Sequence, residues 1–99
     1  MPQQRMLAEI VLLRPRELER VMANLIELDF EVHFLGDWLV GSGSHVWILA
    51  TALSELDPEA FFTYAQGIVE KAVAYPLDSF VVEAGPAPAD IEAWIAGRS

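Results

Sequence analysis

The chain has 99 residues, 54% hydrophobic and 21% charged, with a formal net charge of −9 and no cysteine. This composition excludes intrinsic disorder, a disulfide framework and any thiolate metal site. So acidic a chain is also poorly suited to nucleic-acid phosphate or anionic lipid, which are bound by basic residues that displace counterions.

A chain of this length buries roughly two-thirds of its unfolded surface, enough for one core, so 1–99 is read as a single domain. Its apolar share is high for that size. Either the core is very well filled or another chain covers some apolar surface. The N-terminal apolar run from Met6 to Leu13 is interrupted by Glu9 and closed by Arg14-Pro15. It is too short for a membrane span and lacks a signal-cleavage pattern, so a cytoplasmic protein without a membrane partner is expected. Charge is uneven along the chain. Residues 1–20 carry four arginines against three glutamates, net +1, and the remainder carries Lys71 and Arg98 against twelve acids, net −10.

In chain order, 6–13 reads as a central strand, rich in aliphatics. Pro15 suits the first turn of a helix that runs to about Leu28. Leu18, Val21, Met22, Leu25 and Leu28 form its buried stripe, and Arg16, Glu19, Arg20, Ala23 and Glu27 fall on the solvated side. From Phe30 the period becomes two, predicting a strand through Leu35, a bend or bulge at Gly36-Asp37, and a resumed strand at Trp38-Leu39-Val40. Gly41-Ser42-Gly43-Ser44 reads as a hairpin loop. It lacks the lysine and helix start of a phosphate-binding loop. His45 to Leu53 follows as an interior strand, apolar on both faces.

Asp57 is placed to cap a second helix, with Pro58 at its first position, running to about Tyr75. Its apolar residues Phe61, Phe62, Tyr64, Ala65, Ile68, Val69, Ala72 and Val73 span an arc wider than one sheet usually needs. Pro76 stops it, and Ser79 to Glu83 reads as the fourth strand. Gly85-Pro86-Ala87-Pro88 is a stiff linker to a segment (85–99 overall) in which Asp90 caps a short helix with Ile91, Trp94 and Ile95 on one edge. Two turns of helix are not stable alone, so that edge must dock.

The strand–helix–strand–strand–helix–strand order is the ferredoxin-like arrangement: α+β, with an antiparallel sheet and both helices on one face. Period two then sorts the strand residues. The helix-covered face takes Ala8, Ile10, Leu12, Phe30, Val32, Phe34, Val46, Ile48, Ala50, Ala52, Phe80 and Val82, none of them polar. The opposite face takes Leu7, Glu9, Val11, Leu13, Glu31, His33, Leu35, His45, Trp47, Leu49, Thr51, Ser79, Val81 and Glu83. That second face is too apolar for bare solvent. Another copy, a different protein or the segment bearing Trp94 is expected to cover it.

Catalytic chemistry finds little footing. His33 and His45 both fall on the open face, where the plain reading is two half-exposed surface histidines. A metal would need a third ligand, from Glu31 or Glu9, brought close by neighbouring strands. No serine has the setting of an activated nucleophile, and no carboxylate pair has a spacing that implies a shared proton. No catalytic residue, cofactor or metal site is assigned. Base stacking on the open face, as RNA-recognition modules use it, is rejected because Trp47 stands among acids with almost no base nearby.

Two segments carry a family resemblance. One runs from Leu18-Glu19-Arg20-Val21 to Leu28-Asp29-Phe30-Glu31-Val32, a helix turning straight into a strand. The other runs from Ile48-Leu49-Ala50-Thr51 through the 57–75 helix into Asp78-Ser79-Phe80-Val81-Val82-Glu83. In order, acidity and hydrophobic pattern they resemble the bacterial B-type regulators of ribonuclease E activity, small acidic ferredoxin-like proteins. The chain departs from them at Asp29, where such proteins often have glycine, and in replacing a long acidic tail with a Pro-linked amphipathic end. The resemblance implies a non-enzymatic protein that binds and modulates a larger nucleic-acid enzyme, and it carries over no functional residue.

Three functional readings follow. The first is a protein-binding regulator or inhibitor acting through the open face, with Val11, Leu13, His33, Leu35, His45, Trp47, Leu49, Val81 and Trp94 as partner-binding residues. The second is a homodimer of the α+β-barrel kind, enclosing a ligand or a small monooxygenase-like site near His33, His45 and Trp47. The third is a phage- or toxin-linked inhibitor whose acidic side imitates nucleic acid.

Overall fold

Alternation along the first strand organises the molecule. Met6, Ala8, Ile10 and Leu12 are fully buried on one side of β1 (Gln4–Leu12), which pairs antiparallel with β3 (Gly43–Ser54) and with β4 (Phe80–Pro86). The computed structural model describes residues 3–40, 43–73 and 80–98. Its sheet is completed by β2 (Glu31–Val40), antiparallel to β3, giving the order β2-β3-β1-β4. Among the described residues three α-helices, α1 (Leu18–Glu27), α2 (Pro58–Ala72) and α3 (Ile91–Arg98), accompany the sheet in an α+β fold. Among the described residues no helix is long and apolar enough to cross a membrane.

The core lies between one sheet face and α1 with α2. Across the sheet, Val32, Ala50, Ala8 and Ala84 form one row, and Phe34, Ile48, Ile10 and Val82 the next. The alanine row leaves space for bulkier helix residues, and Leu25 and Phe61 are fully buried in the same cluster. The side-chain alternation inferred for β1 and β3 therefore holds across their paired residues, with Leu13 falling beyond the end of β1. Phe34 differs. It is 55% exposed because it sits on edge strand β2, beside a bulge and outside the core cluster.

Helix ends follow local chemistry. The chain enters α1 through a 3-10 turn at Pro15–Glu17, and α1 ends at Glu27. Leu28 leaves the helical path at the C-cap (φ −97°, ψ 22°) and is 47% exposed rather than part of the buried stripe. In α2 the Asp57 carboxylate accepts the Ala60 N–H at 2.7 Å, and Pro58 occupies the first turn. The helix stops at Ala72, since Val73 is already extended, and so ends short of Tyr75. The expected stop at Pro76, the strand start at Ser79 and the turn residues Gly41 and Ser42 lie outside the described residues.

Two expected loops are strand instead. Gly43 and Ser44 pair with Val40 and Leu39 as the start of β3. Gly85 and Pro86 pair with Leu7 and Met6 as the end of β4. A proline is tolerated there because among the described residues β4 is an edge strand, with no further strand beside it to receive an N–H. The Ala87 N–H then donates to the Arg5 carbonyl at 3.0 Å, tying the chain to β1 just before α3.

Candidate functional site

The second face of the sheet is built in rows by the same register. Glu31, Thr51, Leu7 and Gly85 form one row; His33, Leu49, Glu9 and Glu83 the next; Gly36, Trp47, Val11 and Val81 the third. These rows differ sharply in cover. Leu7 is 9% exposed, Thr51 1% and Leu49 0%, although none of the three belongs to the helix-side core cluster. Val81, by contrast, is 52% exposed.

Two devices shelter Thr51 and Leu7. Arg5 reaches across β3, its Nη1 standing 3.5 Å from the Thr51 hydroxyl and 3.8 Å from Glu31 Oε2. The ion pair is solvent-exposed and contributes at most about 1 kcal/mol; its larger effect is to hold the guanidinium against Thr51. From the other side comes α3, whose N-terminus is capped by the Asp90 carboxylate accepting the Ala93 N–H at 3.0 Å. Ile91, Trp94 and Ile95 are its half-buried edge. Trp94 and Pro88 share a shallow depression with Leu7, Glu9 and Glu83. The C-terminal segment thus shelters the β1–β4 side of the face near Leu7, and leaves the row of Trp47, Val11 and Val81 beyond it.

The residues assigned to partner binding separate accordingly. Val11, Leu35, His45 and Trp47 are half-buried, and with exposed Val81 they occupy the far part of the face; Leu13, also half-buried, lies in the bend after β1, which ends at Leu12 and not at Leu13 as expected. Leu35 is the extra residue of a bulge, falling between Phe34 opposite Ile48 and Gly36 opposite Trp47. Leu49 is buried and supports the face from within. Trp94 belongs to the cover rather than to the open part.

The histidines do not converge. His33 opposes Leu49, four residues along β3 from His45, a separation of about 13 Å at strand rise. His33 Nε2 lies 3.5 Å from Glu31 Oε1, a neighbour on its own strand. Among the described residues no three His, Cys, Asp or Glu side chains gather where they could hold a metal ion.

Sequence reasoning missed a second surface, on the helix side. Leu28 and Tyr64, 47% and 42% exposed, line a depression of about 410 Å³ between α1 and α2. The signal for it was the over-wide apolar arc of α2, of which Tyr64 is the part that the sheet does not use. Comparison of the sequence with models of known protein families and with curated proteins finds no match.

Proposed function

We propose that this chain is a small acidic protein-binding regulator, without enzymatic activity, that engages a larger protein through the uncovered part of its second sheet face. The observation that carries the reading is the row Trp47–Val11–Val81, apolar across three paired strands and ending in a half-exposed valine. Such a contiguous apolar strip beside an acidic periphery is what an interaction surface requires. The arrangement β2-β3-β1-β4 with α1 and α2 against one face supports a ferredoxin-like assignment. The resemblance to B-type regulators of ribonuclease E activity points the same way and makes a nucleic-acid-processing enzyme the partner class to try first.

The test is affinity capture from native extract with the wild-type chain and with Val81→Glu, alongside sedimentation of each. A discrete partner recovered by the wild type and lost by Val81→Glu supports the proposal. Equal recovery by both, or no partner with a mass of 11.0 kDa, overturns it. Twice that mass, reduced to one by Val81→Glu, would place a second copy on the row, as the dimeric barrel reading requires.

A further inference from the structure

Leu28, Leu53, Leu56 and Tyr64, four large apolar side chains each at least 39% exposed, line one depression of about 350 Å³. Through Leu28 and Tyr64 it continues into the cleft between α1 and α2, along Gly67 and Ile68 to Lys71. From Leu56 to Lys71 the groove follows α2 for about 20 Å, roughly four turns of helix. Tyr64 is a fixed wall, its ring stacked on buried Phe30 at 6.0 Å between centroids and 28° between planes.

Gly67 is the unexplained element of this groove. Glycine within a helix is unfavourable relative to alanine, and neither of the usual reasons for it applies. Its backbone is helical, and a Cβ built there would meet nothing within 4 Å. The protein itself therefore makes no use of the missing side chain. Something approaching from outside would, because the bare backbone lets it sit close between Tyr64 and Ile68.

Charge selects what that is. Glu55 lines the groove at its Leu56 end, and exposed Glu27 and Asp29 adjoin Leu28 in the chain, where the two depressions meet. Among the described lining residues Lys71 is the one cation, at the other end. We propose that the groove docks a basic amphipathic helix of another protein, its apolar stripe on Leu28, Tyr64 and Leu56, its closest approach at Gly67, and its lysines or arginines over Glu55 and Asp29. A second copy of the chain brings the same net charge of −9 and is repelled. An anionic lipid surface is disfavoured on the same ground. This surface lies on the helix side of the sheet and stands or falls separately from the face bearing Val81.

The probe is a synthetic amphipathic peptide of about four helical turns, leucines on one face and lysines on the other. Its control carries glutamate for lysine. Titration into the full chain, followed by amide chemical shifts, should show saturable binding of the lysine peptide with the largest changes at Leu28, Tyr64 and Gly67. The glutamate peptide should bind at least about tenfold more weakly, and added salt should weaken the lysine peptide. Gly67→Leu should fold, leucine being the better helix former, and weaken binding at least about tenfold by filling the closest approach. Gly67→Ala should raise the melting temperature by a few degrees while also weakening binding. Val81→Glu should leave it unchanged. Absence of saturable binding, indifference to Gly67→Leu, or shifts centred on Trp47 and Val81 would each overturn the proposal.

Discussion

Phe30 donates its backbone N–H to the carbonyl of Leu25 at 3.0 Å while both side chains lie in the core, Leu25 at 0% and Phe30 at 4% exposure. With the Asp29 N–H donating to the Ile26 carbonyl at 3.0 Å, this closes α1 in a Schellman motif and turns the chain directly into β2. The motif requires a left-handed residue, and Asp29 fills it at φ +67°.

Asp29 is therefore doubly unfavourable. It strains a backbone position suited to glycine, and it places a negative charge at the carbonyl end of a helix. Asp29→Gly should stabilise the protein by about 1 kcal/mol, read as a higher urea midpoint at unchanged slope. Asp29→Asn, which removes only the charge, should recover a smaller part.

At the other helix, the Asp57–Ala60 hydrogen bond satisfies an amide that has no partner within the helix. Asp57→Ala should cost about 1 kcal/mol and Asp57→Asn much less, measured by thermal unfolding. Equal losses would assign the effect to charge rather than to the cap.

Trp94 anchors α3 beside Leu7, and a two-turn helix has no independent stability. Trp94→Ala should cost about 1–3 kcal/mol, less than a fully buried tryptophan because the side chain is only half-buried. Binding of a hydrophobic dye should rise as the β1–β4 side of the face loses its shelter.

Trp47 lies outside the helix-side core, between core residues Val46 and Ile48. Trp47→Glu should preserve a cooperatively folding monomer while abolishing partner capture or self-association. Loss of the folded monomer instead would show that the second face is a core in its own right.

Much of this was legible in the sequence because period two needs no knowledge of partners. The two faces of β1 and β3 separate correctly from alternation alone, and Asp57 and Asp90 announce their helices by cap chemistry. What alternation does not reveal is cover. Leu7, Thr51 and Val81 share one face yet span 1% to 52% exposure, because Arg5 and the α3 segment shelter one part of that face and not another. Arg5 is remote from Thr51 in sequence, and only folding brings them together. The exposure of Leu28 and Tyr64 is not legible in the sequence for a related reason. Each fits a buried stripe on its own helix, and their exposure depends on where α1 stops and how the two helices sit side by side.

The irregularity at Leu35 has a bearing on how relatives of this chain would be found. Strand β2 counts as even on one side of that residue and odd on the other, since Phe34 opposes Ile48 while Gly36 opposes Trp47. A comparison that treats 31–40 as one unbroken repeat will misplace every position towards the hairpin by one. Homologues must be anchored separately before and after Leu35, and a hairpin grafted from a regular sheet must bring one additional residue to keep the junction in step.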